Sequence, residues 1–96
     1  MKKNKVLKIL KENKEFLKEK YGITKLGLFG SVVRDEKNPN DIDIIFDFNN
    51  PKFDLIDMIK IKHILEEKLS KKVDFVPLKG LKDGIKQYIQ KEVIYV

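Results

Sequence analysis

The sequence contains no cysteine and no tryptophan, and its 96 residues include only one histidine. Without cysteine, the chain can form neither disulfide bonds nor thiolate metal sites. Long apolar runs are also missing, since no stretch approaches the ~20 residues of a transmembrane helix and the N-terminus lacks an apolar signal core. We therefore expect a cytoplasmic protein with no membrane partner.

Arginine is nearly absent too. The 21 basic residues comprise 20 lysines and one arginine, Arg34, and they exceed the 15 acidic residues to give a net charge of +6. The lysines are interleaved with Glu and Asp along the whole chain, a pattern typical of a solvated surface, although a basic chain also suits an anionic partner. Because the planar fork of arginine makes bidentate contacts that lysine cannot copy, the position of Arg34 indicates a role for it.

The length and the 42% apolar content predict one globular domain over residues 1–96. Hydrophobic periodicity predicts helices over 3–20, 53–69 and 81–93, and strands over 24–29, 41–48, 71–78 and 93–96. Ser31 is expected to cap a brief helix that runs to about Lys37, followed by a turn at 38–40. This order predicts an α/β or α+β fold, a small sheet flanked by helices.

The helical stripes predict which apolar side chains are buried. On the first helix they are Val6, Ile9, Leu10, Phe16 and Leu17, on the second Leu55, Ile59, Leu65 and Leu69, and on the third Leu81, Ile85, Tyr88 and Ile89.

The strand "DIDIIFDF" (41–48) alternates strictly, so that one face is apolar while Asp41, Asp43 and Asp47 share the other. Asp41 and Asp43 are two residues apart, which places their backbones about 7 Å from each other on one face. A third carboxylate, Asp74, joins them if its strand "VDFV" is a neighbour. Clustered carboxylates repel one another unless a divalent cation is present, and oxygen ligands suit Mg²⁺. Asp47 lies near the far end of the strand, and we expect it to be solvated.

The pair Gly30-Ser31 follows a predicted strand and opens a predicted helix. Backbone N–H groups at such a position can bind phosphate, the glycine leaves room for it, and the Ser31 hydroxyl can donate to it. Arg34 lies one turn later on the same edge. A phosphate site beside an acidic metal site suits a nucleoside triphosphate bound through metal, and therefore phosphoryl or nucleotidyl transfer.

Together, "GLFGSVVR", "DIDIIFDF" and "KKVDFV" resemble the minimal nucleotidyltransferases of the polymerase-beta-like superfamily, and the resemblance covers nearly the whole chain. It implies that fold, one or two Mg²⁺ ions, and ATP as substrate. Gly30-Ser31 would hold the triphosphate, and Arg34 would support the loop or the nucleotide. Asp41 and Asp43 would ligate the metals, while Asp74 would complete the metal-binding triad and activate the attacking hydroxyl.

The chain departs from the family pattern around the arginine. Asn40 stands where the family has Ser, Val33 and Asp35 replace Ala and Gly, and the loop before Asp41 is one residue short. None of these changes removes a metal ligand, but we expect the altered loop to change the phosphate contacts and the rate of transfer.

The resemblance also implies a partner. Small members of the family resemble antitoxins that bind a HEPN-domain ribonuclease toxin and adenylylate a tyrosine on it. Two alternatives stand beside this hypothesis: an antitoxin that neutralises its toxin by binding alone, and a small nucleic-acid-binding protein. The acidic cluster disfavours the last, because carboxylates repel nucleic acid phosphates, and no direct nucleic-acid partner is expected.

Overall fold

The computed structural model describes residues 2–36 and 41–96. The predicted turn at 38–40, the predicted helix end at Lys37 and the substituted Asn40 lie outside the described residues. The elements are α1 (Lys3–Tyr21), β1 (Ile23–Phe29), a 3-10 turn (Gly30–Val32), β2 (Ile42–Phe48), α2 (Leu55–Leu69), β3 (Val73–Pro77), α3 (Asp83–Glu92) and β4 (Ile94–Tyr95).

Helix α1 forms because an apolar stripe recurs at helical spacing between lysines and glutamates, and Val6, Leu10 and Leu17 of that stripe are buried. The helix ends at Gly22, whose φ of 76° lies in the left-handed region, and the Gly22 N–H donates to the carbonyl groups of Leu17 and Lys18. A glycine adopts this conformation without the penalty that a Cβ brings. The predicted end of the first helix is confirmed.

The four strands form one mixed sheet in the order β3-β2-β1-β4. Strand β1 is antiparallel to both β2 and β4, whereas β2 and β3 are parallel. Helix α2 is the crossover that joins the two parallel strands. The predicted class, a small mixed sheet with flanking helices, is therefore confirmed.

Both faces of the sheet are covered. Helices α1 and α2 pack on the face that carries Ile42, Ile44 and Phe46, which are buried. On the opposite face, Ile45 packs in a smaller cluster with Leu78, which follows β3, and with Ile89 of α3. On this face of β2, Asp43 and Asp47 are therefore separated by Ile45, which is part of the smaller apolar cluster.

Several residues predicted to be buried are exposed. They are Phe16 of α1, Leu55 and Ile59 of α2, and Ile85 and Tyr88 of α3. Periodicity determines which side chains share a stripe, but not how much of the stripe has a sheet beneath it. In α2 the buried residues begin only at Ile61, and in α3 only Ile89 is buried.

Candidate active site

The acidic side chains come together because β2 and β3 are neighbours. In the register of this parallel pair, Asp43 lies opposite Asp74. Asp41 directly precedes β2, two residues from Asp43, and is close enough for its charge to raise the pKa of the Asp43 carboxyl. The sequence predicted that Asp74 joins the cluster if its strand is a neighbour of the strand that carries Asp43. The pairing of β2 with β3 meets this condition.

Asp43 is the most perturbed member of this group. Its own burial raises the pKa of its carboxyl above the ordinary value, and the negative charges of Asp74 and Asp41 raise it further. The backbone N–H of Ser31 and the positive charge of Arg34 oppose this shift and lower the pKa, but they do not outweigh it. A cation placed beside Asp43 would relieve the repulsion.

Residues 2–36 and 41–96 contain no group of three His, Cys, Asp or Glu side chains that is already arranged to hold a metal ion. The donors nevertheless suit Mg²⁺, because Asp43 and Asp74 share one register position and repel each other. The assignment of Asp41, Asp43 and Asp74 as metal ligands stays a prediction.

Gly30 links the turn to the acidic cluster by close approach. Its φ is 80°, and a Cβ at this position would lie 2.1 Å from Oδ2 of Asp43. Only a glycine allows the two segments to be this close. Ser31 does not cap a helix, however: the segment is a three-residue 3-10 turn whose N-terminus has no side-chain cap. That prediction is wrong: Gly30, not Ser31, begins the turn, and its carbonyl accepts from the N–H of Arg34 at 3.2 Å. The turn ends at Asp35, whose φ of 58° lies in the left-handed region and stops a helix from continuing.

The backbone N–H of Gly30 is not available as an anion donor in this arrangement. It donates to Oε1 of Glu92 at 2.9 Å, at the end of α3. Nη1 of Arg34 donates to both carboxylate oxygens of Glu92 at 2.9 and 3.0 Å, and Nε donates to Oε2 of Glu36 at 2.6 Å. These contacts, with Glu36 the larger influence, raise the pKa of Arg34. The sequence predicted that the N–H of Gly30 is free to bind phosphate. In the structure it already donates to the carboxylate of Glu92, as does Nη1 of Arg34.

Sequence reasoning missed Glu92 altogether. It lies 62 residues from Gly30 and 58 from Arg34, and nothing in "IQKEV" distinguishes it from other surface acids. Two carboxylates use different nitrogens of the Arg34 guanidinium, an arrangement that a lysine could not copy. The role of Arg34 toward a nucleotide stays a prediction.

Asp47 belongs to a different part of the surface. Burial alone would raise the pKa of its carboxyl, but the hydrogen bond from Lys79 and a backbone hydrogen bond from Phe48 lower it below the ordinary value. Asp47 forms an ion pair with Lys79 at the far end of β2. Asp47 thus lies apart from the acidic cluster, but it is half-buried and paired with Lys79, whereas the sequence predicted a solvated side chain.

Comparison with known proteins identifies the family. The model of the family described as "Nucleotidyltransferase domain" matches residues 10–96. The chain belongs to this family. It is 39% identical over 89 residues to protein adenylyltransferase MntA of Thermococcus cleftensis, a match that covers 92% of this chain and 89% of the relative.

Solved structures agree with this placement. A candidate minimal nucleotidyltransferase matches with a TM-score of 0.73 at 29% identity, covering 92% of this chain and 93% of that one. A tri-AMPylated Shewanella oneidensis HEPN toxin in complex with MNT antitoxin includes a chain that matches with a TM-score of 0.62 at 24% identity, covering 96% and 66%. At that identity the second match supports the fold alone. The resemblance stated from the sequence is confirmed, and so is the prediction of a nucleotidyltransferase.

No helix in the described parts of the chain combines the length and the apolar character needed to cross a membrane.

Proposed function

We propose that this protein is an antitoxin that transfers AMP from ATP to a hydroxyl group, that of a tyrosine, on a HEPN-domain ribonuclease toxin. The relative from Thermococcus cleftensis is named a protein adenylyltransferase, and a structural neighbour contains an AMPylated HEPN toxin with its antitoxin. The family membership of the chain supports the reaction class, and these relatives support the kind of acceptor.

One observation carries the proposal: Asp43 and Asp74 occupy the same register position of parallel strands, and Gly30 lies against Asp43. The proposed metal ligands and the proposed phosphate-binding turn are thereby adjacent. A nucleotidyl transfer needs both, since the triphosphate is highly charged and must be neutralised and oriented. A nucleic-acid-binding surface would not place carboxylates there.

The proposed reaction forms a bond between the acceptor oxygen and the α-phosphorus of ATP. The bond from that phosphorus to the oxygen bridging to the β-phosphate breaks, and pyrophosphate leaves with the electron pair. Asp74 takes the proton of the acceptor hydroxyl as general base. The exposed position of Asp74 suits this role, because a macromolecular acceptor can reach it.

Asp41, Asp43 and Asp74 would hold one or two Mg²⁺ ions. When bound, Mg²⁺ supplies Lewis-acid stabilisation of the phosphate oxygens. The chain itself contributes the orientation: the amide of Ser31 faces Asp43, and Arg34 sits beside the turn with its guanidinium held in place.

The test is incubation of the purified protein with the HEPN partner, Mg²⁺ and ATP labelled at the α-phosphate. We expect label on a tyrosine of the partner. Asp41→Asn and Asp43→Asn should each lower the transfer rate by about a thousandfold, a loss comparable to removing a main electrostatic contact to the transition state. Asp47→Asn is the matched control, since Asp47 lies on the same strand but pairs with Lys79, and it should transfer at the wild-type rate.

Asp74→Asn separates proton transfer from nucleotide binding. Loss of the general base should lower the rate by about a hundredfold or more, while Mg²⁺-ATP still binds through the remaining carboxylates. Labelling by the Asp43→Asn variant at the wild-type rate would contradict the proposed site.

The second candidate function is neutralisation of the toxin by binding alone. The exposed side chains of Leu55, Ile56 and Ile59 form an apolar surface on α2, which suits a protein contact. Co-purification distinguishes the two: a wild-type protein that binds and inhibits the partner, yet never transfers label, supports this candidate and contradicts the first.

A further inference from the structure

Glu92 is the residue through which α3 contacts the proposed phosphate site. A single carboxylate accepts hydrogen bonds from the N–H of Gly30 at 2.9 Å and from Nη1 of Arg34 at 2.9 and 3.0 Å. Its side chain is 17% exposed, whereas that of Arg34 is 42% exposed. The carboxylate therefore lies inward of the arginine, between it and the turn.

The position of Glu92 is itself fixed by secondary structure. It is the last residue of α3, and the next residue, Val93, donates its N–H to the carbonyl of Ile89. Strand β4 then begins and pairs with β1, with Ile94 opposite Leu28. Because Leu28 is two residues before Gly30, the pairing of β4 brings the end of α3 to the glycine turn.

Glu92 holds the turn through Gly30. The backbone of Gly30 is buried and lies in the left-handed region, with Asp43 on its other side. A buried N–H needs a partner, and a carboxylate is a strong acceptor for it. The contact keeps Gly30 against Asp43, and with it the following residue, Ser31.

Glu92 also holds the guanidinium of Arg34. Glu36, the other carboxylate on Arg34, is 51% exposed and contacts only Nε. An exposed pair of this kind fixes a side chain weakly. Within residues 2–36 and 41–96, the contact with Glu92 ties the guanidinium to an element distant in the sequence, and neither ion pair of Arg34 uses Nη2.

We propose that Glu92 is a positioning residue for nucleotide binding: it orients Arg34 and the Gly30-Ser31 turn toward the triphosphate. The inference rests on the proposed function, in which the ligand is Mg²⁺-ATP. The proposal also changes the role of Gly30. Its N–H donates to Glu92 and stabilises the turn, so the contacts to phosphate come from Ser31 and Arg34.

The first experiment measures the dissociation constant of Mg²⁺-ATP and the rate of transfer for Glu92→Gln. Glutamine can still accept from Gly30, so the variant should fold, but it loses the charge that holds Arg34. We expect binding of Mg²⁺-ATP to weaken by about tenfold, the effect of losing one charged hydrogen bond. Glu36→Gln is the matched control, since it removes the charge from the other carboxylate on Arg34, and it should change binding by less than about twofold.

A double-variant cycle shows whether Glu92 acts through Arg34. In the Arg34→Gln background, Glu92→Gln should produce no further loss of Mg²⁺-ATP affinity, because the residue that it positions is gone. Two results would overturn the proposal: independent, multiplicative losses in the double variant, or tighter binding of Mg²⁺-ATP by Glu92→Gln. The second would mean that the carboxylate competes with the triphosphate instead of positioning its donors.

A nucleotide-independent measurement separates this inference from the proposed function. In the wild-type protein, NMR should show a slowly exchanging Gly30 amide and slowly exchanging Nη1 protons of Arg34, the groups that donate to Glu92. Glu92→Ala should accelerate exchange at both sites, and Glu92→Gln mainly at Arg34. Unchanged exchange in both variants would overturn the positioning role whether or not ATP binds. Failure of the wild-type protein to bind Mg²⁺-ATP, with the expected exchange pattern intact, would instead contradict the proposed function.

Discussion

At the scale of single residues, the candidate site is a place where like charges are held together. Asp43 is half-buried and faces both Asp74 and Asp41. Its burial and the negative charges of these two neighbours raise the pKa of its carboxyl. A folded protein keeps such an arrangement at the expense of its own stability, because the unfolded chain separates the charges. Function and stability therefore make opposite demands on Asp43.

We predict that Asp43→Asn stabilises the protein in the absence of ligands. Asparagine removes the buried charge and the repulsion from Asp74, and its amide oxygen can still face the N–H of Ser31. For a domain of this size, each kcal/mol gained raises the melting temperature by about 4–8 °C. Thermal denaturation at neutral pH and low salt measures it, with Asp47→Asn as a control that should not stabilise, since that variant loses its pairing with Lys79.

The pH dependence of this effect has a definite sign. The pKa of Asp43 is higher in the folded chain than in the unfolded chain, so both states bind the proton below the ordinary value of about 3.9 and the carboxyl has no effect there. As the pH rises from that value through the folded pKa, the charge destabilises the wild-type protein. The difference between Asp43→Asn and wild type should therefore vanish in acid. A stabilisation that is the same at every pH would contradict this explanation.

At the scale of elements, the start of α2 shows a signal that the sequence prediction did not use. The predicted helix began at residue 53, whereas α2 begins at Leu55 after a capping box. The N–H of Asp57 donates to Asp54 at 2.9 Å, and the N–H of Asp54 donates to Asp57 at 3.3 Å. Two backbone donors that the helix cannot use are satisfied in this way.

We predict that Asp54→Ala destabilises the protein by about 1 kcal/mol, because alanine cannot accept from the first turn of α2. The melting temperature should fall by roughly 4–8 °C. Asp54→Ser is the matched control, since serine remains a good cap, and it should keep most of the stability. Equal stability of the alanine variant and wild type would show that α2 is held by its packing on the sheet alone.

At the scale of the whole molecule, the acids and the glycine turn depend on one another through the sheet. Strand β1 leads into Gly30, β2 carries Asp43, and β3 carries Asp74. Three adjacent strands therefore position the residues of the candidate site. A ligand that neutralises the acids should consequently stabilise the entire fold by mass action.

We predict that Mg²⁺-ATP raises the melting temperature of the wild-type protein. At a ligand concentration of 100 times the dissociation constant, the free energy of unfolding should increase by about 2.7 kcal/mol. Scanning calorimetry over a series of ATP concentrations measures the effect, with ATP plus EDTA as the control for metal dependence. A melting temperature that is constant across the series would count against the nucleotide site.

The sequence by itself determined most of the local structure and which residues are candidates for the site. Helical and alternating periodicities predicted every helix and strand, because each element buries a stripe that its own residues define. The residue types also predicted the reaction class, since Gly-Ser after a strand and paired acids on another suit few other reactions. The identity of the capping residue Asp54 was readable in principle as well.

Only the tertiary structure decided which distant residues meet. The parallel pairing of β2 with β3 puts Asp74 opposite Asp43, and the pairing of β4 with β1 brings Glu92 to Gly30 and Arg34. The exposure of Phe16 was likewise invisible in the periodicity of its helix. Contacts of this kind depend on the order of the strands and on the extent of each packed surface. Both are properties of the complete fold, and the spacing of residues within one element does not determine them.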